Sequence, residues 1–288
     1  MFRGAITALV TPFKPNFDVD FDAYGRLVDF QIEQGIDGIV PCGCTGEAAT
    51  LSHEEQIQCI RFVIERVAGR VPVIAGTGSN STREALALTK AAKEAGADAA
   101  LLITPYYNKP TPEGQIAHYT AVAEAVDIPI VLYNVPSRTG TNMLPETVAT
   151  LSRKKNIVAV KEAGGSVDQV SQIRKICSIT VLSGDDSLTL PMMAVGATGV
   201  ISVASNVVPG KVAALCASFE KGDLAGAQRI HYELLPLFKG LFLETNPMPV
   251  KAALAKMGLI QNVLRLPLTP MRAEPFAKLE AILKELGL

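Results

Sequence analysis

The sequence predicts an α/β fold in which eight parallel strands alternate with helices and close into a (β/α)₈ TIM barrel, with extra helices at the C-terminal end. Three observations carry this. Eight short apolar runs recur along the chain, amphipathic stretches separate them, and glycines follow those stretches where helices would stop. Continuous apolar strands between helices imply a parallel sheet covered on both faces. Eight such units favour a closed barrel over an open doubly wound sheet. The predicted strands are 4–10, 37–43, 71–78 and 99–107 in the first half, then 128–136, 156–163, 179–185 and 198–206.

The helices between them carry their own punctuation. Ala85, Leu88, Ala92 and Ala95 share one face of a helix predicted over 82–95. Ser52-x-x-Glu55 and Ser81-x-x-Glu84 read as capping boxes, and Pro112 and Pro145 suit a first helical turn. Gly35, Gly69, Gly96 and Gly196 stand where a left-handed residue ends a helix. The barrel is assigned to residues 1–225 and the helical extension packed on it to 226–288, with no linker or composition break between them.

Composition narrows the function classes. With 288 residues, 48% hydrophobic, the chain can bury a sizeable core. Net charge is −1 and the basic residues are scattered, so neither a nucleic-acid stripe nor an acidic tail is visible. No apolar run approaches the roughly 18 residues of a membrane span, and the N-terminal run is too short for a signal sequence. Five cysteines, an odd number lying mostly in apolar segments, suit reduced thiols in the cytoplasm. Cys42 and Cys44 form C-x-C without a second pair, which argues against zinc. The first β-α turn lacks G-x-G-x-x-G, and neither a phosphate loop nor a G-x-S-x-G elbow is present. His53, His118 and His231 are the only histidines and lie in separate segments, so a multi-histidine metal site is hard to assemble. The expectation is chemistry without metal or cofactor.

In such a barrel the chemistry sits at the C-terminal ends of the strands. Those ends carry Thr11, Cys44, Thr45, Thr77, Tyr106, Tyr107, Tyr133, Arg138, Lys161, Asp185 and Asp186. One of the two aspartates is explained as readily by a helix N-cap as by catalysis. Lys161 stands out because it continues the apolar strand NIVAV. A free lysine has a pKa of about 10.4, which leaves roughly one molecule in two thousand neutral near pH 7. Desolvation in an apolar pocket lowers that pKa and makes the amine nucleophilic. A lysine at this strand end is best explained as an imine former.

The motifs Gly43-Cys44-Thr45-Gly46-Glu47, TPYYNKP (104–110), YNVPSRTG (133–140) and the Lys161 strand resemble those of the dihydrodipicolinate synthase family of pyruvate-dependent class I aldolases. NPMPVKAAL (246–254) and LRLPLTP (264–270) extend the resemblance over essentially the whole chain. It implies condensation of pyruvate with L-aspartate 4-semialdehyde in diaminopimelate and lysine biosynthesis. Lys161 would form the Schiff base, Tyr133 would act as general acid/base, and Thr45, beside Gly46, would hold the pyruvate carboxylate. Tyr107 would be a relay phenol contributed to a neighbouring subunit of a homodimer or homotetramer, and Arg138 would bind the semialdehyde carboxylate. The family usually has threonine where this chain has Cys44. A thiol is a poorer hydrogen-bonding group than a hydroxyl, so the expectation is slowed turnover with imine formation intact.

The resemblance also implies a site for L-lysine as inhibitor, with Leu51, His53, Asn80, Glu84 and Tyr106 at the matching positions. Ala48 and Gln56 replace polar or basic residues found in sensitive members. Two other readings stay open at this point. One is a related pyruvate-lysine aldolase such as N-acetylneuraminate lyase or a 2-keto-3-deoxy-sugar aldolase, against which Arg138 discriminates. The other is a non-catalytic protein that binds pyruvate or lysine.

Overall fold

The structure, a computed structural model, describes residues 2–288. Its eight strands are β1 (Gly4–Ala8), β2 (Gly38–Val40), β3 (Ile74–Gly76), β4 (Ala99–Ile103), β5 (Ile130–Asn134), β6 (Ile157–Glu162), β7 (Thr180–Ser183) and β8 (Gly199–Ser202). They pair in parallel in the order β2-β1-β8-β7-β6-β5-β4-β3. A parallel bridge between Ile39 and Val73 closes the ring, supported by the Ile39 N–H donating to the Pro72 carbonyl at 3.0 Å. The barrel read from the sequence is therefore the one observed.

Alternation along each strand divides two apolar regions. Ile6, Ala8, Val40, Ile74, Ala99, Leu101, Val131, Ala159, Leu182 and Ile201 fill the barrel interior. The intervening positions, such as Leu132, Val160 and Val181, pack outward against the helices. Tyr133 shares the interior face with Val131, and Lys161 shares the parity of Ala159, so both turn inward at their strand ends.

The observed strands are shorter than the predicted runs because their last residues turn into the site loops. The run expected over 99–107 leaves the sheet after Ile103. Beyond it, Tyr107 and Lys109 adopt left-handed backbone, with φ of 70° and 45°, which swings the segment away from the barrel. At the end of β3, Gly76 leaves no room for a side chain, since a Cβ would lie 2.1 Å from the carbonyl oxygen of Cys42.

Helix punctuation follows the sequence with one correction. Gly35, Gly69, Gly96 and Gly196 all have left-handed φ, Pro112 and Pro145 sit in first turns, and Ser52 and Glu55 form a full capping box. At Ser81 the box is only half made. Its hydroxyl accepts from the Glu84 N–H, but the Glu84 carboxylate accepts instead from the Ser79 hydroxyl at 2.7 Å. Ser79 Oγ also accepts the Ser81 N–H at 3.1 Å, taking the role expected of Glu84.

Helices Leu224–Gly240, Met248–Lys256 and Ala273–Glu285 follow the last strand. Met248–Lys256 reaches the barrel through Lys251, which is fully buried and donates to Glu47 Oε1 at 2.5 Å and to the Thr11 carbonyl at 2.9 Å. Glu47, equally buried, also accepts from the Arg265 N–H at 3.3 Å. Burial lowers the Lys251 amine to about 8 even though Glu47 pulls the other way. Removing one member of a buried ion pair strands the other charge, at a typical cost of about 3–5 kcal/mol. Lys251→Met is expected to lose about that much stability in urea titration, and Lys251→Met with Glu47→Gln markedly less. Equal losses in the two variants would show that pairing is not what matters at this position.

Candidate active site

Strand register sets the centre of the site. Tyr133 and Lys161 are Cα partners across β5 and β6, and the lysine Nζ lies 4.2 Å from the centroid of the Tyr133 ring. Lys161 is only 5% exposed. Its stem has room because residue 184 is glycine, where a Cβ would come within 3.1 Å of Lys161 Cε. Burial brings the amine down to about 8; Cys44 and Asp186 oppose that fall and Arg138 adds to it. Burial likewise pushes the Tyr133 phenol well up, helped by Cys44 and opposed by Arg138.

The loop after β2 supplies the next wall. Thr45 is buried, and its hydroxyl accepts from Asn246 Nδ2 at 3.0 Å. Thr11 stitches the loop down by donating to the Gly46 carbonyl at 2.7 Å. Arg138 stands on the short helix Pro136–Thr139, and its Nη2 donates to the Asn246 carbonyl at 2.8 Å. Asn246 thus touches Thr45 with its side chain and Arg138 with its backbone. Its other side-chain atom, Oδ1, is buried without a partner.

Cys44, Tyr133, Arg138 and Asn246 line a cavity of about 430 Å³. The same cavity extends past Tyr106 to Leu51, His53 and Glu84. Of the residues expected at an L-lysine site, those four lie on its walls, and Asn80 is engaged through its carbonyl by Asn108 Nδ2 at 2.8 Å. Gln56 is buried with its amide donating to the Gly76 carbonyl at 2.8 Å. Tyr107 is not brought to Lys161 by its own chain, because the left-handed turn leaves it 90% exposed.

Other strand-end residues have structural partners. Thr77 pairs with Thr89 at 2.9 Å. Asp185 caps the short helix after β7, and buried Asp186 accepts from the Val203 and Ala204 N–H groups at 3.0 and 2.9 Å. Cys42 also borders the cavity, but it is buried and its thiol donates to the Gln56 carbonyl at 3.6 Å. Asn246, Lys251 and Glu162 were missed by sequence reasoning. The NPMPVKAAL segment marked the neighbourhood of the first two, but nothing local to it names Thr45 or Glu47 as their partners.

A (β/α)₈ barrel holding a desolvated lysine against a tyrosine is the architecture of an imine-forming lyase of the class I aldolase kind. The chain belongs to the Dihydrodipicolinate synthetase family, whose model matches residues 1–286. It is 58% identical over 287 residues to the 4-hydroxy-tetrahydrodipicolinate synthase of Geobacter sulfurreducens, covering 99% of each chain. It superposes with a TM-score of 0.98 on the dihydrodipicolinate synthase of Aquifex aeolicus, at 51% identity over 100% of this chain and 99% of that one. The chloride-inhibited dihydrodipicolinate synthase of Acinetobacter baumannii complexed with pyruvate matches with a TM-score of 0.98, at 46% identity and the same coverage.

The Lys161 amine has a direct consequence for pH. An unfolded chain keeps this proton up to about 10.4, whereas the folded one releases it at about 8. Folding therefore sheds a proton between those values, and this group's contribution makes stability rise with pH across that window. At pH 7 about one molecule in ten has a neutral amine, far more than for a free lysine. The initial rate of pyruvate trapping by cyanoborohydride is expected to rise about tenfold per pH unit below 8 and to level off above it. A rise continuing to pH 10 would mean that the amine is not desolvated.

Proposed function

We propose that this chain catalyses the condensation of pyruvate with L-aspartate 4-semialdehyde to give 4-hydroxy-tetrahydrodipicolinate. The single observation that carries the reading is Lys161, a buried, depressed amine facing Tyr133, whose ring lines the cavity together with Arg138 and with Asn246, the partner of Thr45. The names borne by the family relatives agree with it.

The chemistry runs on this chain's own groups. The neutral Lys161 amine attacks the pyruvate ketone, and the carbinolamine loses water to give an imine. Thr45, with its hydroxyl fixed by Asn246, holds the pyruvate carboxylate. Tyr133, whose phenol stays protonated, delivers the proton that water needs to leave and later helps remove one from the pyruvate methyl carbon to give the enamine. The enamine carbon then bonds to the aldehyde carbon, whose oxygen takes a proton. The amino group of the bound semialdehyde attacks the imine carbon, closes the ring and displaces Lys161. Arg138 suits the semialdehyde carboxylate because its fork is already held by the Asn246 carbonyl. That cation favours a carboxylate-bearing aldehyde over a sugar chain.

The exposure of Tyr107 supports a homodimer or homotetramer in which this phenol serves a neighbouring copy. With Cys44 between Tyr133 and that phenol, proton relay is expected to be slow. Cys44→Thr should raise kcat by at least about tenfold, given that placed proton transfer contributes typically 10²–10⁴-fold. The defining test is intact mass after pyruvate and borohydride. Wild-type protein and Arg138→Ala should carry the adduct and Lys161→Ala none, with Arg138→Ala losing use of the semialdehyde. An adduct on Lys161→Ala, or normal semialdehyde use by Arg138→Ala, would remove those assignments.

The cavity arm at His53 and Glu84 supports L-lysine as an inhibitor, with the Glu84 carboxylate as partner for its ammonium. Ala48 offers no polar side chain there, and Gln56 is tied to Gly76. Inhibition is therefore expected to be weak, and Glu84→Ala should abolish it in an inhibitor titration. Unchanged inhibition in that variant would place lysine elsewhere.

A further inference from the structure

Directly behind the Tyr133–Lys161 pair, on the outer face of the same strands, lies a buried carboxylate that the reaction does not use. Glu162 follows Lys161 and is the Cα partner of Asn134, which follows Tyr133. Glu162 is 0% exposed, and among the described residues no lysine, arginine or histidine pairs with it. Its oxygens are satisfied by neutral donors alone. Asn134 Nδ2 reaches both at 3.1 Å, the Gly164 N–H reaches Oε1 at 2.6 Å, and Gln169 Nε2 reaches Oε2 at 3.0 Å.

The network continues outward from there. Asn134 donates to Asn142 Oδ1 at 2.7 Å and accepts from the Met143 N–H at 2.9 Å. Gln169 also donates to the Met143 carbonyl at 3.2 Å, and its own oxygen accepts from Asn142 Nδ2 at 2.8 Å. Two strand ends, one turn, one loop and the helix Val167–Ile176 are therefore tied to a single carboxylate. Gly164 is part of the fit, since a Cβ there would lie 2.6 Å from Glu162 Oε1.

A carboxylate in this layer is costly to desolvate. Its geometry gives a reason for its presence. Hydrogen bonds between side chains of one register pair oppose sliding of β5 against β6 one residue beyond the reacting groups. They act at the last register pair of the two strands, beside the final backbone bond from the Ala163 N–H to the Asn134 carbonyl at 2.9 Å.

We infer that Glu162, through Asn134 and Gln169, is a positioning residue that fixes Lys161 against Tyr133 for imine formation. The inference rests on Lys161 being the imine former. Productive attack requires the reacting atoms about 3–3.5 Å apart and aligned, and small misplacements reduce rate rather than binding. Disturbing the network is therefore expected to lower the rate of imine formation while leaving pyruvate affinity, set by Thr45 across the barrel, nearly unchanged.

The test uses the full chain and follows cyanoborohydride trapping of pyruvate as a function of its concentration. Glu162→Gln should lower the saturated trapping rate at least tenfold, with the half-saturating concentration within threefold of wild type. The exchanged pair Asn134→Asp with Glu162→Gln, which restores one donor and one acceptor between the strands, should recover at least threefold of that loss. Gln169→Leu removes one donor from the helix side and should slow trapping threefold or more, which keeps the question open to experiment if Glu162→Gln does not fold. A folded Glu162→Gln or Gln169→Leu that traps at the wild-type rate would overturn the positioning role, even with a lowered melting temperature. Failure of wild-type protein to form any adduct would instead overturn the reading of Lys161.

Discussion

The constraint on which the rest of this structure depends is the removal of one amine from water. Lys161 can act as a nucleophile near neutrality only if its ammonium form is made unfavourable. Holding the amine at about 8 instead of about 10.4 costs the fold about 3 kcal/mol at neutral pH. A closed ring of parallel strands meets that demand well. Its interior is lined by Ala, Val, Ile and Leu side chains, and the lysine stands at the upper edge of that packed column. Closure at the Ile39–Val73 seam matters for the same reason, since water entering between β2 and β3 would rehydrate the interior.

Around the amine, charge is balanced with few groups. Cys44 and Asp186 limit the depression and Arg138 deepens it, so the cation proposed for the second substrate also favours the neutral form of the Lys161 amine. Asn246 binds both Thr45 and Arg138 and so fixes the two proposed carboxylate-binding positions relative to each other. That residue comes from the segment after the last barrel strand, as does Lys251. The C-terminal helices are thus part of the floor and wall of the site.

Much of the fold was legible because its signals are local. Eight apolar runs, capping residues and left-handed glycines each speak for their own neighbourhood, and most strand and helix positions followed from them. The inward turn of Lys161 was legible too, since strand parity alone sends it to the face of Ala159. Less visible were features decided by residues far apart. Lys251 in MPVKAALAK looks like an ordinary surface lysine, and only its partner 204 positions earlier explains its burial. Glu162 beside Lys161 reads as a strand-end acid until Asn134, Gly164 and Gln169 converge on it. The end of β4 was misplaced because alternation and aromatic content favour a strand through Tyr107, whereas the left-handed backbone there turns the chain outward.

The span between Glu47 and Lys251 also orders events at the ribosome. The barrel strands emerge first, and N-terminal segments begin to fold before synthesis ends. During that interval Glu47 has no Lys251, and the loop bearing Thr45 is tied down by Thr11 alone. It also lacks Asn246, which emerges only five residues before Lys251. The Thr45 and Glu47 side chains therefore gain these partners only after residues 246 and 251 have been made. A nascent barrel that has already closed around Lys161 still lacks the Asn246 contacts that orient Thr45 and Arg138.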